Sequence, residues 1–287
     1  MKDFRSGLQL LLVMLVVSVI ASAAEPAKLK FKFTTVKVPK ATRTFIYGIN
    51  NSGTMVGAYV DKSGTQHGFM LASGTVTTLD DPNGTQTTCS GINSAGAIVG
   101  FYFNSNIVLQ AFEYQGGTFT DIGPAGASLS QAFGINDQGE TTGAFVDAKG
   151  SHGFLWTGKK YKTLDVPGAV GTEAVGVNNK NKVTVIWYDS SYVAHSSLYH
   201  ASKYKSIDVP GATDTFAGGV NTAGDVVYSW LDSNNISHGA LLHKGKVQTF
   251  DDPKGTQTNG NGVNDESVVV GSFVNQKGLA EGFSATY

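Results

Sequence analysis

The chain has 287 residues and a formal charge of −1, with 21 lysine and arginine residues against 22 acidic ones. Charges this balanced and scattered give the sequence no electrostatic footprint for nucleic acid or for anionic membranes, so neither is expected as a partner. A single cysteine, Cys89, excludes a disulfide framework, and we interpret it as a small buried apolar residue rather than a reactive thiol.

Residues 1–23 have the pattern of a secretory signal peptide. Lys2 and Arg5 precede a run of 13 mostly apolar residues that ends at Ile20, and small residues follow at the cleavage site. The alternative is an uncleaved membrane anchor, but about 20 apolar residues are needed to span a bilayer. We therefore predict a secreted protein, extracellular or periplasmic, with no membrane contact after cleavage.

The mature chain, residues 24–287, repeats one tripeptide of Gly, Ile or Val, and Asn. The interval is always 42 or 43 residues, and the copies begin at Gly48, Gly91, Gly134, Gly176, Gly219 and Gly262. A period this regular indicates six copies of one supersecondary unit. We expect a single domain.

Each copy contains four short runs that are rich in β-branched and aromatic residues. In the third copy they cover residues 131–136, 140–146, 151–156 and 160–165. Turn residues separate the runs, a pattern typical of strands. The first turn carries Gly53, Gly96, Gly139 and Gly224, with Asn181 and Ser267 as the exceptions. A tight hairpin needs positive φ there.

Four strands in about 43 residues are typical of the blade of a β-propeller, and a β-solenoid is the alternative. The chain ends within the third strand of the sixth copy, whereas an unmatched fourth strand, residues 31–38, precedes the first copy. A ring gains from such a split because closure removes two sheet edges. We predict an all-β, six-bladed propeller of four-stranded antiparallel blades, with the tripeptide strand innermost and the N-terminal strand completing the sixth blade.

A histidine begins the third strand in four copies: His67, His152, His195 and His238. The ring spaces these side chains too widely for one metal ion. We expect each histidine to form a hydrogen bond within its own blade, either to the Ser or Thr that begins the inner strand or to the Asp that ends the fourth strand.

The third strand also carries a family resemblance. His67-Gly68-Phe69, Gln110-Ala111-Phe112, His152-Gly153-Phe154 and Glu281-Gly282-Phe283 resemble the triplet of the bacterial extracellular HAF-repeat proteins, whereas His195-Ser196-Ser197 and His238-Gly239-Ala240 depart from it. The resemblance implies secretion and a propeller-like repeat. It brings no established reaction or catalytic residues.

Catalytic patterns are weak in this chain. Asp81 and Asp252 extend the repeated Asp into carboxylate pairs, but they belong to blades far apart, and a glycosidase needs two carboxyls about 5 to 10 Å apart. Arg43 is the single arginine of the mature chain, which excludes a sialidase that holds its substrate with several arginines. Glu173 is the one acid that we assign to an inner strand. We expect no cofactor, and the alternative of a structural calcium ion among the Asp-bearing turns remains open.

In a repeat protein, the positions that do not repeat are those that the fold leaves free. Two such positions lie five and three residues before the tripeptide glycine, and we predict that they surround one mouth of the channel. The candidate ligand-binding residues there are Arg43, Phe45, Gln86, Thr88, Gln131, Glu173, Asp214, Phe216, Gln257 and Asn259. The alternative is a merely solvated rim.

The favoured function is a secreted, non-enzymatic binding or interaction module, monomeric, whose ligand is an extracellular glycan, peptide or protein. One alternative is an extracellular polysaccharide hydrolase or lyase on the same scaffold. A structural component of the envelope or matrix is the other.

Overall fold

The computed structural model describes residues 28–287, so the predicted signal peptide lies outside the described residues. That part of the chain folds into 24 strands, and it contains no helix that could cross a bilayer. The strands form six blades of four antiparallel strands, as predicted. A single parallel bridge between Ser151 and Gly171 also joins blades 3 and 4.

The strands follow the order inner to outer within each blade. Blade 1 contains β2 (Arg43–Ile49), β3 (Met55–Val60), β4 (Gln66–Ala72) and β5 (Thr75–Leu79). Blade 2 contains β6 (Gly84–Ile92), β7 (Ile98–Asn104), β8 (Leu109–Gln115) and β9 (Thr118–Asp121). Blade 3 contains β10 (Leu129–Ile135), β11 (Thr141–Asp147), β12 (Gly150–Trp156) and β13 (Tyr161–Leu164). Blade 4 contains β14 (Gly171–Val177), β15 (Val183–Tyr188), β16 (Ala194–His200) and β17 (Lys203–Ser206). Blade 5 contains β18 (Asp214–Val220), β19 (Val226–Leu231), β20 (Ser237–His243) and β21 (Lys246–Phe250). Blade 6 contains β22 (Gly255–Val263), β23 (Val268–Asn275), β24 (Ala280–Thr286) and the N-terminal strand β1 (Lys32–Val36).

The N-terminal strand closes the ring, which confirms the prediction. Strand β1 pairs with β24 over five residue pairs, from Lys32 opposite Thr286 to Val36 opposite Gly282. Phe33 packs edge-on against the fully buried Phe283, with their ring centroids 5.3 Å apart. Strands β1 and β24 therefore share one sheet and one hydrophobic cluster.

Glycines of the tripeptide bring the inner strands together at the axis. A Cβ atom added to each of the six would lie only 2.9 to 3.3 Å from the Cα atom of the glycine in the neighbouring blade, and this relation runs around the ring from Gly262 back to Gly48. Real Cβ atoms rarely approach another atom so closely. The glycines are therefore required by the close approach of six backbones.

Asparagines of the tripeptide form a second, hydrogen-bonded ring. Each Nδ2 donates to the backbone carbonyl of the asparagine in the next blade at 2.8 to 3.3 Å, and Asn264 donates to Asn50 to complete the circle. Each Oδ1 also accepts the backbone N–H four residues later, which closes the first turn of its own blade. One buried side chain thus shapes a turn and joins two blades.

The blade cores explain why blades 4 and 5 depart from the triplet. In four blades a glycine of the second strand lies opposite a fully buried phenylalanine of the third: Gly57 and Phe69, Gly100 and Phe112, Gly143 and Phe154, Gly271 and Phe283. In blades 4 and 5 the larger residue lies on the second strand instead, as Val185 opposite Ser197 and Tyr228 opposite Ala240. This core space is therefore filled from the second strand in blades 4 and 5, and from the third strand in the other four blades.

The first turns adopt positive φ in all six blades, including the two without glycine, Asn181 at 56° and Ser267 at 59°. We expect Ser267→Gly to raise the free energy of unfolding by about 0.5 kcal/mol, because the left-handed conformation costs an L-residue about 1 kcal/mol and glycine's extra entropy in the unfolded chain offsets part of the gain. Urea denaturation measures this change. Ser105→Gly, at an exposed turn residue without positive φ, should show no gain, and an equal gain there would contradict the explanation.

Candidate functional site

The central channel contains a cavity with a volume of about 370 Å³. The inner strands all run toward one face of the ring, which we call the asparagine face because each strand ends there at the tripeptide asparagine. The opposite face, where the chain crosses from one blade to the next, is called the connection face. The cavity lining extends from the asparagine face inward to Thr88 and Phe216.

One set of side chains lines the middle of the channel and comes from the residue just before each tripeptide glycine. Its members are Tyr47, Ser90, Phe133, Val175, Gly218 and Asn261. Phe101 and Phe216 also face this space, and the Phe101 and Phe133 rings meet edge to face with centroids 6.4 Å apart. Aromatic faces therefore alternate with small and polar groups around the wall.

Two side chains of this set are constrained by their surroundings. Burial raises the pKa of Tyr47, so its hydroxyl stays protonated and can donate as well as accept a hydrogen bond. The Tyr47 ring stacks on Phe45 with an interplanar angle of 8°. Asn261 donates from Nδ2 to the backbone carbonyl of Ile46 at 2.8 Å. These contacts hold both groups in fixed positions on the wall.

The mouth on the asparagine face is lined by the residue after each tripeptide asparagine: Asn51, Ser94, Asp137, Asn179, Thr222 and Asp265. Asp137 accepts hydrogen bonds from the Ser94 backbone and the Asn179 side chain at 2.8 and 2.7 Å. Asp265 does the same with Thr222 and Asn51. Partial burial alone would raise the pKa of Asp137, but these hydrogen bonds outweigh it and lower the pKa. The mouth is anionic.

The ten residues predicted to bind a ligand lie at or near the start of the inner strands, on the connection face. Thr88 and Phe216 line the channel cavity, and the other eight do not. Phe45, Gln131, Glu173, Asp214, Gln257 and Asn259 are half-buried, and Gln86 and Arg43 are exposed. Arg43 lines a separate groove between blades 6 and 1.

Several predicted residues are engaged in contacts between blades. Thr88 accepts a hydrogen bond from Gln66 at 2.9 Å, and Asn259 accepts one from Ser237 at 2.7 Å. Both partners begin the third strand of the preceding blade. These polar side chains therefore join neighbouring blades.

The structure brings Glu173 and Asp214 close to one phenol. Tyr188 donates to Glu173 at 3.2 Å, and Asp214, which begins β18, also contributes to the raised pKa of that tyrosine after burial and Glu173. Glu173 is thus not the single acid on an inner strand. Burial raises the pKa of Glu173, and the hydrogen bond from Tyr188 opposes the rise.

Asp81 and Asp252 are buried in the connections that lead into blades 2 and 6. Each is 2% exposed, and Oδ1 accepts the backbone N–H two residues later, from Asn83 and Lys254. The equivalent residues elsewhere are apolar, such as Val166 and Val209. These carboxylates therefore do not line an open surface.

Each of the four histidines lies between two aspartates of its own blade. Nδ1 is 2.8 to 3.0 Å from the Asp that follows the fourth strand, namely Asp80, Asp165, Asp208 or Asp251. Nε2 is 3.2 to 3.8 Å from the Asp of the second turn, and the ring packs on an aromatic of the second strand. The predicted bond to the strand-ending Asp is confirmed. The Ser or Thr instead accepts a backbone N–H in the connection or the third strand, as between Val209 and Thr215.

Metal-binding geometry is limited in the described part of the chain. Residues 28–287 hold no group of three or more His, Cys, Asp and Glu side chains placed to share one ion. The second-turn aspartates use Oδ1 to accept backbone N–H groups, as Asp61 does from Ser63 and Thr65 at 2.8 and 2.9 Å. Cys89 is fully buried, and burial raises the pKa of its thiol.

Comparison with known proteins extends the fold assignment. No family model and no curated protein matches the chain. The six-bladed fucose lectin of Aleuria aurantia superposes with a TM-score of 0.51 at 11% identity, covering 88% of this chain and 93% of the lectin. The SapL1 lectin, solved with α-methyl fucoside, gives 0.56 at 9% identity over 85% of this chain and 94% of that one. TolB from Acinetobacter baumannii gives 0.59 at 11% identity over 82% and 64%. At these identities the likeness shows the fold alone.

The channel-lining residues before the tripeptide glycine were missed by the sequence interpretation, although a signal was present. The position holds Tyr, Ser, Phe, Val, Gly and Asn, so it varies as freely as the two positions that were chosen. The residues one and three positions before the glycine lie on the same face of the strand, because side chains alternate between faces. The sequence pattern therefore does not show which of the two positions lines the cavity. The residue directly before the glycine lines the cavity in all six blades, whereas the residue three positions before it does so only as Thr88 and Phe216.

Proposed function

We propose that the protein is a secreted, non-enzymatic binding module that takes an uncharged saccharide into its central channel. The observation that carries the proposal is the channel wall, where Tyr47, Phe101, Phe133 and Phe216 surround a cavity that also presents hydroxyl and amide groups. Its volume falls within the range of small-ligand sites, about 300 to 1,000 Å³.

The chemistry of the wall suits a sugar ring. A pyranose has apolar C–H faces and polar hydroxyl edges, so it is bound well by aromatic faces combined with a few donors and acceptors. Tyr47 and Phe133 supply faces, whereas Ser90 and the Tyr47 hydroxyl supply polar contacts on the same wall. A purely apolar ligand would leave these polar groups unpaired.

The charge of the mouth favours a neutral ligand over an acidic one. Asp137 and Asp265 belong to blades 3 and 6, which lie opposite each other in a six-membered ring. The six residues of this rim include no cation to offset them. An incoming carboxylate or sulfate would be repelled from both sides.

The structural neighbours support a saccharide as the ligand class. Two of the similar folds are lectins, one of them described as fucose-specific and the other solved with a fucoside. A propeller of this size and blade number is therefore a scaffold on which sugar binding occurs. Function still has to be argued from the site, and here the channel wall provides that argument.

We expect Tyr47→Ala and Phe133→Ala each to weaken saccharide binding about tenfold, because each removes an aromatic face worth about 1 kcal/mol or more. A glycan array on the chain selects the best neutral saccharide, and calorimetry measures the affinities. The control is Tyr192→Ala, which removes an aromatic that is 77% exposed at a second turn, on the connection face. Unchanged affinity in both channel variants, or an array without any neutral ligand, would contradict the proposal.

A further inference from the structure

The connection face carries a groove between blades 6 and 1, with a volume of about 600 Å³. Four cationic side chains line it: Lys37, Arg43, Lys254 and Lys277. Glu281 is the one carboxylate of the lining, so four positive charges against one negative charge give these lining residues a formal charge of +3. The whole chain, by contrast, has a formal charge of −1.

This groove reverses a charge pattern that the other blades repeat. The fourth strand is followed by Asp80, Asp165, Asp208 or Asp251 in the blades with histidine, and Asp121 ends it in blade 2. Blade 6 has Lys37 at that position, and Glu281 replaces the histidine. Lys37 pairs with Glu281 at 2.7 Å. Four other blades form with Asp and His at these two positions, so the fold does not require Lys37 and Glu281 in blade 6.

The positive charge in the groove exceeds what its own carboxylate neutralises. Partial burial alone would raise the pKa of Glu281, but hydrogen bonds from Lys37 and Asn275 and the charges of Lys37 and Lys254 lower it instead. Arg43 is exposed at the start of β2, and it forms no ion pair within residues 28–287. The N–H donors of the Arg43 guanidinium are therefore available to a ligand.

We propose that this groove binds the carboxylates of an acidic polysaccharide. The planar guanidinium of Arg43 can hold a carboxylate through two parallel hydrogen bonds, and the lysines add charge around it. The buried Phe273 and the partly exposed Leu279 and Ala280 give the groove an apolar component. A uronic acid chain presents both features, carboxylates and apolar ring faces, whereas an inorganic anion uses only the charge.

The site is independent of the channel. The groove lies on the connection face, whereas the channel mouth with Asp137 and Asp265 lies on the asparagine face. The two sites also have opposite charge, which separates acidic from neutral saccharides. Variants of one site should therefore leave binding at the other unchanged, and the failure of either proposal can be recognised separately.

The test measures binding of an oligogalacturonate to the full chain by calorimetry, with its methyl-esterified form as the uncharged counterpart. We expect the acid to bind and the ester to bind at least tenfold more weakly. Arg43→Gln combined with Lys254→Gln should reduce the affinity for the acid at least tenfold, and added salt should weaken binding in the wild type. Tyr47→Ala should leave this binding unchanged.

The control variant combines Lys203→Gln with Lys205→Gln, which removes the same charge from exposed residues of β17 in blade 4. It should bind the acid as the wild type does. Equal binding of acid and ester, full affinity in the groove variant, or an equal loss in the control would overturn the proposal. Equally tight binding of dextran sulfate, which has no carboxylate, would show that the groove recognises charge alone and would overturn the assignment to uronic acids.

Discussion

Tyr228→Gly should lower the free energy of unfolding by about 4 kcal/mol or more. Tyr228 is fully buried in blade 5, and removing its ring leaves a cavity for which large-to-small changes of aromatics cost about 3 to 5 kcal/mol. Glycine within a strand adds about 0.5 to 1 kcal/mol. Ala240→Phe alone should cost about 1 to 3 kcal/mol, because it overpacks a filled core.

The two changes together should be less harmful than their sum. Tyr228 lies opposite Ala240, at the positions where four other blades place glycine opposite phenylalanine. The double variant restores that arrangement, so we expect a coupling energy of at least about 2 kcal/mol in the double-mutant cycle. Recovery should be incomplete, since the surrounding core residues of blade 5 pack around Tyr228 in the wild type.

Urea denaturation of the four proteins in the cycle measures the coupling, and Tyr228→Ala replaces Tyr228→Gly if the latter does not fold. The control cycle combines Tyr228→Gly with Phe112→Ala, a buried residue of blade 2, and should be additive within about 0.5 kcal/mol. Additivity in the Tyr228 and Ala240 cycle would show that the two side chains do not share one space.

Asn178→Asp should lower the free energy of unfolding by about 2 to 4 kcal/mol, although the two side chains have nearly the same shape. Nδ2 of Asn178 donates to the Asn221 carbonyl at 2.8 Å, and the residue is 4% exposed. The substitution places a buried carboxylate oxygen against that carbonyl, so one hydrogen bond is lost and two acceptors face each other. The turn should still form, because the other carboxylate oxygen can accept hydrogen bonds from the backbone N–H groups of Lys180 and Lys182.

The pH dependence identifies this cause. The introduced carboxyl should have a raised pKa, because burial and the facing carbonyl disfavour its charged form. Its destabilising effect should therefore be full at neutral pH and shrink as the pH falls through that pKa, when the proton can be donated to Asn221. Thermal or urea unfolding of wild type and variant at pH 7 and pH 4.5 measures the difference. Asn106→Asp, in an exposed turn, should change the free energy of unfolding by less than about 0.5 kcal/mol. A loss as large as that of Asn178→Asp would contradict the stabilising role of the asparagine ring.

Much of the fold follows from the sequence because every blade repeats the same requirements. The tripeptide glycine marks the close approach at the axis, and the asparagine marks both a turn and a contact between blades. The split repeat predicts that β1 completes blade 6. These features are legible because a residue required six times stands out from residues required once.

The candidate sites were harder to predict, because they depend on residues that do not repeat and on where each side chain points. The sequence singles out Arg43 as the one arginine beyond the predicted signal peptide, but it could not place Lys254 and Lys277 beside it. Those residues come from a connection and a turn that are more than 20 positions apart in sequence and meet only in the folded blade. In blade 5 the large core residue, Tyr228, lies on the second strand, whereas in blade 1 it is Phe69 on the third strand. This difference becomes visible only when the residues that face each other on the two strands are compared.

The proposed channel and groove sites have opposite charge and lie on opposite faces of one ring. The asparagine and glycine rings hold the inner strands in place, so the channel wall does not need to form on binding. Preformed sites of this kind lose less free energy to ordering when a ligand binds.

A crystal structure of the chain with the neutral saccharide selected by the glycan array tests the channel assignment most directly. We expect sugar density inside the channel, with a ring face against Tyr47 or Phe133 and a hydroxyl in hydrogen-bond reach of the Tyr47 oxygen. Sugar density confined to the outer surface of the blades, with the channel free of it, would contradict the proposed channel site.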